Sequence, residues 1–305
     1  MDSKRFQMLY CSKRGATRSR RGLKMYTTLI DCKSLSSHLG KPDWVIVDCR
    51  FDLMQPQAGR ADYLAGHIPG AVYADLNQDL SGPVTQTSGR HPLPEPEAFA
   101  QQLGRWGFRN TSQVVVYDAG NGAYAVRMWW MLRWLGHQGV ALLDGGMALW
   151  QASGLPLTQE VPRPQPAQFV AQLHPENNLT TAQLNRGIQA GMLRVIDART
   201  AVRYAGEQEP IDPVAGHIPG ALNFPYEANL DATGRFLDAG SLRSRFAPFV
   251  DQPGSVVHMC GSGVTACHNL LAMEIAGISG SRLYAGSWSE WVRDPGNPVS
   301  TGNDA

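Results

Sequence analysis

Five cysteines are spread through this 305-residue chain, and one of them stands where a nucleophile can be made. The run Val256-Val257-His258-Met259 reads as a short buried strand that delivers Cys260 into the turn Gly261-Ser262-Gly263. Two glycines let the backbone curl tightly, so that successive N–H groups can point inward as an anion-binding nest. A helix starting near Val264 adds the positive end of its dipole. Such surroundings favour a thiolate, and they would equally hold the terminal sulfur of a persulfide. The segment therefore predicts nucleophilic catalysis on Cys260 through a covalent sulfur intermediate, cradled by Gly261, Ser262, Gly263, Val264 and Thr265.

Other chemistries are open to the same residue types. Cys267 lies about two helical turns beyond Cys260 and is expected to face the core as a small hydrophobe. Zinc binding by His258, Cys260, Cys267 and His268 is disfavoured, because their spacing matches none of the usual Cys-x-x-Cys pairs. A cysteine phosphatase needs an arginine six residues after the nucleophile to clamp phosphate, and that position is Ala266. The turn itself contains no cation.

The elements that must position this turn are written twice. Ala65-Gly66-His67-Ile68-Pro69-Gly70-Ala71 recurs letter for letter as Ala215 to Ala221. Upstream, Val47-Asp48-Cys49-Arg50 is echoed by Ile196-Asp197-Ala198-Arg199, and downstream Val114–Tyr117 answers Ser255–His258. Trp150 and Trp291 close the two copies. Each copy alternates short β-branched runs with helical stretches, which implies α/β units with a mainly parallel sheet and helices on both faces. In such sheets ligands sit beyond the carboxyl ends of the strands, where the Cys260 turn lies. The residue matching Cys260 in the first copy is Ala119, so one active site per chain is expected. The first copy is also nine residues longer between its markers, an excess assigned to the loop around Gly82-Pro83 and Gly89-Arg90-His91-Pro92-Leu93-Pro94. We expect a basic segment over 1–24, a first domain over 25–155, a Pro-rich extended linker over 156–178, and a catalytic second domain over 179–298.

The turn Cys260-Gly261-Ser262-Gly263-Val264-Thr265, the two His-Ile-Pro-Gly-Ala motifs and Gly286-Ser287-Trp288-Ser289-Glu290-Trp291 resemble those of the tandem rhodanese and 3-mercaptopyruvate sulfurtransferase family. The resemblance spans roughly residues 26–296. It implies two rhodanese-like domains with substrate bound between them and the active cysteine in the second. It further implies that Arg203 holds an anionic substrate, and that His67 lies near the cleft and Ser262. Arg50 and Arg199 are read as internal ion-pair partners, and His217 as a frame residue. One departure stands out. Relatives acting on mercaptopyruvate usually carry a second arginine shortly after a Glu-Pro, whereas Glu209-Pro210 is followed here by Ile211. Two donors stay open: thiosulfate, a dianion that calls for cations in the loop, and 3-mercaptopyruvate, which suits a neutral one. The acceptor would be cyanide, a small thiol or a thioredoxin-like protein, with no organic cofactor and no metal. A catalytically silent rhodanese-like binding or regulatory module is the competing reading, and only the first copy has lost its cysteine as that would require.

Composition bounds the rest. With 43% hydrophobic and 17% charged residues the chain reads as globular, and Val114 to Leu143 is interrupted by Asp118, Arg127, Arg133 and His137, so no membrane span is expected. A net charge of +1 gives no reason to expect nucleic acid. Residues 1–24 hold eight Lys and Arg against one acid, as a disordered tail, residues upstream of a start at Met25, or a mitochondrial presequence would. An odd cysteine count without regular spacing points to a reducing compartment, the cytoplasm, or the mitochondrial matrix if 1–24 is a presequence.

Overall fold

The structure, a computed structural model, describes residues 25–303; the basic segment 1–24 lies outside the described residues. Two all-parallel sheets form in sequence. The first contains β1 (Leu29–Ile30), β2 (Trp44–Asp48), β3 (Val72–Tyr73), β4 (Gln113–Tyr117) and β5 (Val140–Leu143), in the order β1-β5-β4-β2-β3. The second contains β6 (Arg194–Asp197), β7 (Leu222–Asn223), β8 (Val256–Met259) and β9 (Arg282–Leu283), in the order β7-β6-β8-β9. The edge strand β1 is too short to carry a periodic signal and was not expected from sequence; its counterpart in the second copy is a single bridge from Asn178 to Leu283.

The strands are continuous apolar runs because both sheet faces are covered. Val114 and Val116 of β4 join one hydrophobic cluster, while Val115 and Tyr117 point into another on the opposite face. In the second sheet Val256 and Ile196 face the first of these clusters, whereas Val257 and Val195 face a third. The first cluster therefore belongs to both domains. The helices Ala125–Trp134 and Ala266–Ile275 meet there, with Met128, Trp130, Val264, Leu270 and Met273 all buried. Full burial of each such side chain is worth about 1.5–3 kcal/mol. A continuous apolar seam of this kind holds the two sheets in one arrangement, against the usual freedom of tandem domains.

The duplicated motifs turn out to be domain frame. Arg50 folds back onto Asp48 (Nη2 to Oδ2 2.6 Å) and also donates to the Gly66 carbonyl at 2.8 Å. Arg199 does the same with Asp197 (2.6 Å) and the Gly216 carbonyl (2.7 Å). Each His-Ile-Pro-Gly histidine stacks on a tyrosine, His67 on Tyr63 at 3.9 Å and His217 on Tyr204 at 3.8 Å. Each also bridges to the chain that follows its domain, at Thr158 and at Ser300. Beyond Thr158, residues 159–174 run without helix or strand along the first domain, held by backbone bonds such as Gln172 N–H to the Leu135 carbonyl at 2.9 Å.

Candidate active site

Cys260 follows β8 immediately and is 2% exposed. Its own N–H donates to Ser287 Oγ at 3.1 Å, and its carbonyl accepts from Trp288 N–H at 3.0 Å. Ser287 is the one non-glycine residue with positive φ among the described residues (φ 55°). Holding a serine there costs of order 1 kcal/mol, and the contact to the Cys260 backbone is what that strain secures. Gly263 also needs the left-handed region (φ 73°), and a Cβ on it would meet the Ala285 carbonyl at 2.3 Å. The turn can thus be made only with glycine at that point.

Inside the turn, the N–H groups of Gly261, Ser262, Gly263, Val264 and Thr265 have no acceptor among the described residues. The helix follows from Ala266, two residues later than the sequence suggested, with Thr265 as its N-cap. Unsatisfied donors at the start of a ten-residue helix make an anion site. Cys267, by contrast, is fully buried; burial pushes its thiol well up, and its Sγ donates to the Gly263 carbonyl at 3.5 Å. It remains a protonated core residue, and Cys49 is buried in the same way.

The first copy makes the same turn and fills it. Asp118, at the end of β4, accepts from the N–H groups of Gly120 (3.1 Å), Gly122 (3.0 Å), Tyr124 (2.9 Å) and Ala125 (3.1 Å). The residue in its place before the second turn is Met259.

His67 does not reach this site. Its Nδ1 lies 2.7 Å from the Tyr63 carbonyl and its Nε2 3.1 Å from the Glu160 carbonyl, so both ring nitrogens serve the frame of the first domain. The expected contact with Ser262 is made instead by His91, whose Nδ1 is 2.7 Å from Ser262 Oγ. Burial, reinforced by the charges of Arg127 and Arg90, pushes His91 down to about 3, so the imidazole is neutral.

Cations also stand over the turn, which its neutral sequence did not suggest. A Cβ on Gly261 would lie 2.8 Å from Arg90 Nη2 and 3.5 Å from both terminal nitrogens of Arg203. Arg203 is held by Glu209 (Nη2 to Oε1 2.7 Å) and Asp212 (3.2 Å), and Asp212 also pairs with Arg90. Burial raises the Asp212 carboxyl, and Arg90 and Arg203 pull against it. Arg90 and His91 arrive together on the irregular loop 81–94 of the first domain, the place assigned to the nine-residue excess. That excess, with polar residues among prolines, was the available signal that the loop crosses to the second domain. Position 211, where the family resemblance implied a second arginine, is Ile211, and a cation reaches the neighbouring Asp212 from the other domain as Arg90. Among the described residues no group of three or more His, Cys, Asp or Glu is arranged to hold a metal, and no helix is long and apolar enough to cross a membrane.

A model of the rhodanese-like domain matches residues 31–153 and again 180–294. The chain is 48% identical over 279 residues to a probable 3-mercaptopyruvate sulfurtransferase of Pseudomonas aeruginosa, covering 90% of this chain and 98% of that protein. It is 34% identical to the thiosulfate sulfurtransferase of Rattus norvegicus, covering 91% and 97%. Among solved structures it resembles SseA of Escherichia coli, described as having the rhodanese fold and as a 3-mercaptopyruvate sulfotransferase. That match has a TM-score of 0.75 and 34% identity, over 87% of this chain and 100% of that one.

Proposed function

The chain belongs to the rhodanese family and is a sulfurtransferase, and from that premise we propose that it takes sulfur from 3-mercaptopyruvate through a persulfide on Cys260. The Cys260 thiolate attacks the donor's sulfur and the carbon–sulfur bond breaks. The electron pair goes to the carbon, which takes up the thiol proton and leaves as pyruvate. Cys260 then carries the outer sulfur as an anionic persulfide. Cyanide, a small thiol or a thioredoxin-like protein attacks that sulfur, forming thiocyanate or an acceptor persulfide and returning the thiolate. Both states of the enzyme are anionic at the turn, where unpaired N–H donors can stabilise each without rearrangement. The Ser262 hydroxyl, backed by neutral His91, is suited to carry the proton toward the leaving carbon. Four free cysteines among the described residues fit a reducing compartment such as the cytoplasm.

The observation that carries the donor assignment is the charge balance above Gly261. Arg90 and Arg203 are matched by Glu209 and Asp212, leaving a near-neutral pair of forks. Such a pair suits the single carboxylate of mercaptopyruvate better than the two charges of thiosulfate. Arg203 Nη1 and Arg90 Nη2 have no partner among the described residues and are free to grip it. The test is the ratio of kcat/KM for the two donors, with intact mass to count the added sulfur. Mercaptopyruvate is expected to lead, and Arg90→Ala to raise its KM by about 10-fold or more at little change in kcat. Higher efficiency with thiosulfate would reverse the assignment, and no sulfur added to Cys260 by either donor would return the chain to a silent binding module.

A further inference from the structure

Arg127 lies in the helix Ala125–Trp134 of the first domain, between apolar neighbours, and is 0% exposed. Its contacts are all to neutral acceptors. Nη1 donates to the Gly263 carbonyl at 2.9 Å across the domain interface, Nη2 to the carbonyls of His91 (3.0 Å) and Leu80 (3.4 Å), and Nε has no partner. Among the described residues it makes no ion pair, unlike Arg50, Arg90, Arg199 and Arg203. A guanidinium buried without an anion is disfavoured by several kcal/mol, so an anion near it is expected. Its bond to the Gly263 carbonyl sets it against the turn that holds Cys260 and Cys267; burial lowers its pKa, and the charges of those two thiols are what oppose that. Cys267 is held protonated by burial, as described above.

We infer that Arg127 is the buried counter-cation of the Cys260 sulfur, supplied to the active turn by the domain that has no nucleophile of its own. It acts as a positioning residue: it anchors the turn through the Gly263 carbonyl and supplies a positive charge behind the sulfur. Thiolate and persulfide carry the same charge, so the guanidinium can stay in place through both half-reactions. The other charges facing Cys260 are Arg199, Arg90 and Arg203, already matched by Asp197, Glu209 and Asp212, and neutral His91 reaches it through Ser262. Arg127 alone among these cations lacks a carboxylate. The inference rests on Cys260 being the sulfur carrier, but not on which donor is used.

Its test needs no donor. In the full chain, alkylation of Cys260 by iodoacetamide is followed by intact mass as a function of pH, with folding checked by circular dichroism. Arg127→Gln keeps a hydrogen-bond donor and removes the charge; its alkylation profile is expected to move about one unit to higher pH, a roughly 10-fold slower reaction near neutrality. Arg127→Lys keeps the charge and is expected to hold the profile close to wild type. A folded Gln variant with the wild-type profile, or a Lys variant shifted as far as Gln, would overturn the inference. Stability gives a second reading through Arg127→Met in wild-type and Cys260→Ser backgrounds at pH 8.5. A counter-ion predicts loss of stability in the first and little loss or a gain in the second. Equal losses in the two backgrounds, or failure to fold in both, would leave only an interdomain clasp and reject the counter-ion.

Discussion

In the first domain the turn after β4 closes on a carboxylate of its own, and four backbone N–H groups converge on Asp118. In the second domain the same turn after β8 has Met259 at that point, and its N–H groups stay unpaired around Cys260. The two loops share their strand, their glycines and their helix, yet one is closed on its own carboxylate and the other is open around a cysteine. Both copies keep the nest; the residue at the strand end decides whether a side chain of the protein fills it, as Asp118 does, or leaves its N–H groups open. The first loop shows that this backbone can hold an anion, because it does so with its own side chain. The first domain still helps build the second loop, since Arg90, His91 and Arg127 all reach it from there.

The largest expected effect comes from making the second loop like the first. Met259→Asp puts a carboxylate under the open N–H groups, next to the nucleophile. Persulfide formation should fall by about 100-fold or more, since the donors that stabilise the sulfur are then occupied and a like charge is added. Rates and intact mass of the folded variant measure this, and retention of near-normal activity would break the comparison. The reverse change empties the first loop. Asp118→Ala leaves four N–H groups without their charged acceptor and should destabilise the protein by about 2–4 kcal/mol in urea melts. Activity per folded molecule should change much less, which separates a structural anion from a catalytic one.

The smallest effect concerns the link between the loops. His268, in the helix after the second turn, has its Nε2 3.0 Å from the Asn121 carbonyl of the first loop. Its Nδ1 is 3.1 Å from Asn229 Nδ2, a donor, so Nε2 carries the proton of a neutral ring. Burial pushes this imidazole down to about 3, as it does His258. A histidine with a lowered value in the folded state adds stability above its unfolded value near 6.5, and that stability is lost as pH falls toward 3. Urea midpoints should therefore be flat above pH 7 and fall as the pH drops to about 5.5. His268→Gln should make that fall shallower by about 1.4 kcal/mol per pH unit. An unchanged slope would mean that the interloop ring is already charged.

Local features were legible without coordinates. Short-range steric rules and periodicity predicted the strand, the glycine turn and the helix around Cys260, and the exact repeat of Ala65–Ala71 exposed the duplication. The family resemblance, not the repeat, misled on His67. Its match to the family pattern suggested a place at the cleft, while Tyr63, Glu160 and the strand-end arginine bind that turn into the frame. The neutrality of Gly261 and Ser262 was read correctly as composition and incompletely as environment, because Arg90 and Arg203 stand above them.

By itself, the sequence determined the α/β class, the two-domain plan, the cysteine set in a strand-end glycine turn of the second copy and the Ala119 that stands in its place in the first. These follow from residue types within a few positions of one another, where backbone sterics and side-chain period act. Which histidine meets Ser262, which arginine pairs with Asp212 from the other domain, and which side chain holds the Gly263 carbonyl were decided only by the tertiary structure. Those pairs are 171, 122 and 136 residues apart in the chain. They come together because one shared apolar core locks the two sheets in a single arrangement, and no local pattern encodes a contact made by packing.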